Sequence, residues 1–197
     1  MKKVDHEKRR EDVLTKALKL FAKMGYEQVT YQQLADVSGL SRTALYKYFP
    51  SKKEVFDNAL FQLVKSIGND LKETLRQNPT MNAAERLEML AKMSIDMCVS
   101  NPELLETIVE YLIAQKRQGE AVERKIRRHT ATFRCEIKNL VQDGIATGVF
   151  RQVSPIHFAD LFFSIIQATV LRIIFYDNPD KEQLIVQCKT LIDLIKI

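Results

Sequence analysis

Residues 30–53 read TYQQLADVSGLSRTALYKYFPSKK, and the order of capping and turn residues within them decides the fold class. Thr30 is placed to cap a short helix, and Gln33, three residues on, completes a capping box. Leu34, Ala35 and Val37 supply that helix with a buried side, and Gly39 offers the left-handed conformation in which it can stop and turn. Ser41 caps a second helix. Leu40 just before it and Leu45 within it are spaced for a hydrophobic staple, which fixes the angle at which the second helix leaves the turn. Pro50 ends this helix, and Ser51-Lys52-Lys53-Glu54 is a further capping box that opens the next one. The pattern predicts a helix-turn-helix.

Leu45 and Phe49 lie four apart and share the inward face of the second helix, which leaves Arg42, Thr43, Tyr46 and Lys47 on the outward one. Two cations, a hydroxyl and a phenol without a carboxylate suit the major groove of DNA, where such groups meet phosphate oxygens, base edges and thymine methyls. Four such residues also occur on the solvated face of an ordinary bundle helix. The ordered caps, turn glycine and staple around them favour the reading helix.

Leu18-x-x-Phe21-x-x-x-Gly25-Tyr26, Val29-Thr30, Leu34-Ala35, Gly39-x-Ser41-x-x-x-Leu45-Tyr46-x-Tyr48-Phe49-x-x-Lys52 and Phe56 form one pattern. In it the chain resembles the N-terminal DNA-binding domain of the TetR/AcrR family of bacterial transcriptional regulators, over about residues 8–60. The resemblance implies that Thr30, Ser41, Arg42, Tyr46, Tyr48 and Lys52 touch the DNA backbone and that Thr43, Ala44 and Lys47 sit nearest the bases. Members often carry glycine and then a small hydroxyl residue where this chain has Thr43-Ala44. The added β-branched side chain alters what can approach a base edge, so the operator sequence is not transferable from relatives.

Charge distribution points the same way. Residues 1–53 carry 12 Lys+Arg against 6 Asp+Glu, whereas residues 54–197 carry 18 against 19, so the positive excess lies in the first quarter. Affinity for nucleic acid is largely a counterion-release effect, and a basic module on a near-neutral body suits a DNA reader with a separate second function. A membrane-surface helix would also need a broad exposed apolar face. Here Leu14, Ala17, Leu18, Phe21 and Met24 are needed for a core with the helix-turn-helix.

With 197 residues, 46% hydrophobic content and few glycines and prolines, the chain has room for a small domain and a larger helical one. Pro79, Pro102, Pro155 and Pro179 each follow Asn or Ser, an arrangement that begins helices. The periodicity predicts helices at about 7–24, 31–37, 42–48, 52–76, 83–99, 102–116, 120–147, 155–176 and 180–196, with no convincing strand. The expected fold is all-α: a helix-turn-helix domain at 1–53 and a helical effector-binding and dimerisation domain at 54–197.

The first 25 residues are charged and amphipathic, without the apolar core of a signal peptide, and the apolar run at 161–176 is interrupted by Ser164, Gln167, Thr169 and Arg172. Cys98, Cys135 and Cys188 have no zinc or disulfide spacing. A cytoplasmic protein with reduced thiols and no membrane partner is expected. His6, His129 and His157 are not grouped with a Ser, Cys or carboxylate as a triad would be, and no phosphate-cradling loop is present, so neither catalysis nor a cofactor is expected.

By the resemblance, the last two helices pack against their copies as a dimer interface, with Leu161, Ile165, Arg172, Ile185, Cys188 and Ile192 as candidates. A helix-turn-helix protein needs such a dimer to place two reading helices one DNA turn apart. The intervening region would hold a small, largely hydrophobic effector. Its candidate lining is Met89, Met93, Met97, Ile108, Tyr111, Phe133, Ile137, Phe158 and Phe162. A methionine stripe at helical spacing is also ordinary core. Arg172 interrupts an apolar helix and should find a carboxylate or an anionic effector. The implied function is a homodimeric repressor released from a palindromic operator by its effector. A DNA-binding protein without an effector, and an interaction module that binds no DNA, remain as alternatives.

Overall fold

The computed structural model describes residues 2–176 and 179–197, with side chains from His6 onward. Among the described residues there are nine helices: α1 (Lys2–Met24), α2 (Tyr31–Ser38), α3 (Arg42–Tyr46), α4 (Lys52–Gln77), α5 (Ala83–Val99), α6 (Pro102–Arg117), α7 (Val122–Ala146), α8 (Pro155–Phe175) and α9 (Lys181–Asp193). The all-α fold expected from periodicity is the fold observed.

The differences have local causes. α3 stops at Tyr46 rather than 48 because Lys47 and Tyr48 donate to the Ala44 and Leu45 carbonyls, three residues back, tightening the last turn before Pro50. Pro79 opens no helix; it lies in the turn before Asn82, which caps α5 through the amides of Ala84 and Glu85. Asp180, bonded to the Gln183 amide, caps α9, and Asn178 lies outside the described residues. α9 ends at Asp193 rather than 196 because the last residues leave the helix to pair with 149–151. There Arg151 donates to the Ile195 carbonyl at 2.9 Å and Ile197 to that of Val149 at 3.2 Å.

The chain forms two compact units: the residues up to Ser66 with Glu103–His129, and Ile67–Pro102 with Thr130–Ile197. The core of the first joins Val13, Leu14, Ala17 and Phe21 of α1 to Leu34 and Ala35 of α2, Leu45 of α3 and Phe49. Val55, Phe56, Ala59 and Leu60 of α4 and Tyr111 of α6 belong to the same cluster. Phe21, Tyr26, Phe56 and Tyr111 meet ring to ring at centroid distances of 4.5–5.7 Å, Phe21 and Tyr26 stacked and the other pairs tilted or edge-on, contacts that add to simple burial.

In the second unit α5, α8 and α9 pack together. Leu87, Leu90, Ala91, Ile95 and Cys98 of α5 meet Phe158, Phe162, Ile166, Thr169 and Ile173 of α8 and Leu184, Cys188, Leu191 and Ile192 of α9 as buried stripes. By length and composition α8 could cross a bilayer, its most apolar window reaching a mean hydropathy of 1.8. Its inward stripe is instead buried against α5 and α9. Phe150, 1% exposed, lies on Gly144 of α7, where a Cβ would stand 2.0 Å from a ring carbon. Lys196 reaches Glu88 of α5 at 2.8 Å and fastens the end of the chain.

Candidate nucleic-acid interface

The turn between α2 and α3 is built from its own side chains. Thr30 is extended (φ −93°, ψ 157°); its Oγ1 accepts from the Gln33 amide at 3.2 Å, while Gln33 Oε1 accepts from the Thr30 amide at 2.8 Å. Gly39 is left-handed (φ 64°), which brings its amide onto the Asp36 carbonyl at 3.1 Å and that of Leu40 onto Ala35 at 3.0 Å. Ser41 Oγ then accepts from the Ala44 amide at 3.1 Å and starts α3. One expectation is corrected: Val37 is 38% exposed, and the inward position belongs to Ser38, one helical turn beyond Leu34. The Ser38 hydroxyl is satisfied by donating to the Leu34 carbonyl at 2.6 Å.

Leu45 is wholly buried beneath α3, and Arg42, Thr43, Tyr46 and Lys47 are exposed, with Ala44 half-buried between them. Tyr46 is held on both sides. Its ring stacks on Tyr31 at 4.3 Å and 18°, and the Arg42 guanidinium lies 5.8 Å from its centroid with Nη2 donating to the phenol at 3.4 Å. Tyr31 is itself anchored by donating to the Phe49 carbonyl. Burial first, and then Tyr46, push the Tyr31 phenol above its usual pKa, so it remains a donor. Arg10 of α1 packs on Phe49, with its guanidinium 5.0 Å from the ring centroid and Nη2 2.6 Å from Asn58 Oδ1.

Tyr31 and Arg10 were not singled out by the sequence, because each acts through a partner distant in the chain. Lys52 is also engaged: its ammonium donates to the Tyr26 and Glu27 carbonyls at 3.0 and 3.2 Å and lies 4.5 Å from the Tyr26 centroid. It clamps the turn that follows α1. The phenol of Tyr26 is pushed up to about 12 by burial, then by Glu27 and Asp57. Tyr48 stacks on His6 at 4.6 Å. Thr30 and Ser41 are exposed while serving as caps.

The expected effector lining falls into both units. Ile108 and Tyr111 belong to the first, and Tyr111 is corrected: at 1% exposure it is core, donating to Asp57 Oδ1 at 2.8 Å. Lys125 of α7 completes this cluster, 2.8 Å from Asp57 Oδ2 and 3.0 Å from the Tyr111 hydroxyl. In the second unit Ile137, Phe158 and Phe162 are buried, Phe133 is half-buried with its ring 6.1 Å from Phe163, and Met89, Met93 and Met97 are half-buried beside the packed stripe of α5. A groove of about 410 Å³ opens beside Met81, Arg86, Leu140 and Val149 and contains none of the expected residues.

Of the expected dimer residues, Leu161 is 52% exposed and Ile165, Arg172 and Ile185 are half-buried. Cys188 and Ile192 are corrected: both are 0% exposed and fill their own unit, where burial raises the Cys188 thiol to about 11. The exposed large apolar side chains of this helix pair are Ile156, Leu161, Leu171 and Phe175 on α8 and Val186 on α9, followed by Leu194. Arg172 is paired with the Gln187 amide oxygen at 2.9 Å rather than with a carboxylate.

Residues 13–59 match the model of the tetR family of bacterial regulatory proteins. The HTH-type transcriptional regulator YfiR of Bacillus subtilis is 26% identical over 182 residues, covering 89% of this chain and 84% of its own length. The nucleoid occlusion factor SlmA of Haemophilus influenzae is 29% identical over 107 residues, 53% of this chain, and the match spans about half of that relative, 48%. A TetR transcription regulator from Haloarcula marismortui has the same fold, with a TM-score of 0.82 at 21% identity over 97% of this chain and 100% of that one. Residues 13–59 are thus a helix-turn-helix domain of the tetR family of bacterial regulatory proteins, and the helices that follow it share the fold of a solved TetR regulator.

Proposed function

We propose that the protein is a cytoplasmic, DNA-binding transcriptional repressor. It acts as a homodimer on a palindromic operator and is released by a small, largely hydrophobic effector. Residues 1–53 are the reading head and 54–197 the control and pairing part. The observation that carries this reading is the exposed Arg42, Thr43, Tyr46 and Lys47 on a capped helix whose other side is wholly buried, with no carboxylate among them. Thr43, Ala44 and Lys47 meet base edges; Thr30, Ser41, Arg42, Tyr46 and Tyr48 meet phosphates. Effector and operator affinities are then coupled reciprocally, by about 1–3 kcal/mol.

Gel retardation with genomic promoter fragments, with and without lipophilic ligands, tests this reading. Tyr46→Ala should weaken retardation while leaving the oligomeric state unchanged. Retardation of no fragment at low salt would refute the DNA-binding role. One observation favours a second reading in which no effector is bound. Tyr111, Ile137, Phe158 and Phe162 of the expected lining are close-packed core. If no ligand raises the melting temperature by mass action while operator binding persists, that reading stands.

A further inference from the structure

The cations at the α6–α7 corner are not accounted for by the fold. Lys116 and Arg117 end α6, where the helix dipole favours them, but Arg124, Lys125, Arg127 and Arg128 crowd the first turns of α7, where it opposes them. Two of these four are compensated, Lys125 by Asp57 at 2.8 Å and Arg127 by Glu123 at 2.9 Å. Arg124 and Arg128 are exposed, have no acidic partner among the described residues, and lie four apart on one face, where like charges repel.

The corner is also fastened to the segment that follows the reading helix. Lys53, six residues beyond Lys47, pairs with Glu120 of the corner at 2.5 Å, and Asp57, one turn further along α4, holds Lys125. All of these groups belong to the first compact unit, with the reading face. Building on the proposed function, we propose that Arg124 and Arg128, supported by Lys116 and Arg117, form a second phosphate-binding surface. It engages the DNA backbone beside the bases read by α3. A membrane-binding helix would display apolar side chains beside its cations. Here Val122 and Ile126 of the same turns are half-buried.

The test is the full-length Arg124→Gln/Arg128→Gln variant on a DNA fragment retarded by the wild type. Loss of two phosphate contacts should make the slope of log K against log salt shallower by about 1.8, equally on operator and unrelated DNA of the same length. Its melting temperature should be unchanged or higher, because the i, i+4 repulsion is removed. Trimming the fragment to the bases read by α3 should abolish the difference between variant and wild type. Equal slopes on the long fragment overturn this proposal alone, as does a variant that binds DNA normally but loses affinity for anionic vesicles. A wild type that retards no DNA overturns the proposed function with it.

Discussion

At the scale of single residues, the caps were legible because their partners lie within three or four positions: Thr30 with Gln33, and Ser41 with Ala44. Lys52 was not, because the carbonyls it holds lie 25 and 26 residues upstream. That geometry separates two lysines that look alike in the sequence. Lys52→Met should destabilise the folded protein by about 1–2 kcal/mol, the worth of hydrogen bonds from a charged donor. Lys47→Ala should leave the melting temperature unchanged and weaken binding to the operator more than to unrelated DNA at every salt concentration, as loss of a base contact does. Thermal unfolding beside a salt titration distinguishes them, and an unaltered melting temperature for Lys52→Met would count against the clamp. His129 gives a pH dependence. It lies edge-on to Phe61 at 5.9 Å with neither ring nitrogen hydrogen-bonded, and burial, then the charge of Arg128, hold its pKa below the ordinary histidine value of 6.5. The unfolded chain therefore takes up a proton near pH 6.5 that the folded chain resists. The stability is present above that pH and is lost as pH falls through it towards the folded pKa. The melting temperature should fall between about pH 7.5 and 5.5, and His129→Leu should flatten that fall; an identical decline in the variant would place the titration elsewhere.

At the scale of elements, periodicity and capping found the helices because both are written within one or two turns of sequence. What they missed were ends set by tertiary partners, such as the last turn of α9, drawn off to pair with 149–151. Gly144 was equally silent. Within α7 it reads as a weak helix residue, and only the fold reveals that its missing Cβ makes room for Phe150. A methyl there would stand 2.0 and 2.4 Å from two ring carbons and 2.9 Å from Ala83 Cβ. Overpacking of that kind typically costs about 1–3 kcal/mol. Gly68, also helical, has nothing within 4 Å of its would-be Cβ. Gly144→Ala should therefore lower the denaturant midpoint, whereas Gly68→Ala should raise it, stabilising the fold by up to about 1 kcal/mol through helix propensity. If the two alanines behaved alike, propensity rather than the Phe150 contact would govern this part of α7.

At the scale of the whole molecule, the sequence showed that α8 and α9 carry more apolar surface than one face each can use, but not which face is which. Composition does not distinguish an inward stripe from an outward one, and Cys188 and Ile192 were accordingly assigned to the seam although both fill their own core. Burial separates the two. Leu161, Leu171 and Phe175 recur along α8 at 52%, 49% and 73% exposure, with Val186 at 56% on α9. These large apolar groups face solvent in the isolated chain. A second copy would cover them, and two heads so joined would read half-sites about 34–36 Å apart. Leu171→Glu puts a charge in the middle of that stripe without disturbing the chain's own core. The variant should sediment as a monomer with an unchanged melting temperature extrapolated to low concentration. It should bind a single half-site as the wild type does, yet lose roughly a hundredfold or more on a two-half-site fragment, where the linked heads act as one. A variant that stays dimeric, or a monomer that still binds the two-half-site fragment at full affinity, would break the link between the apolar stripe and DNA reading.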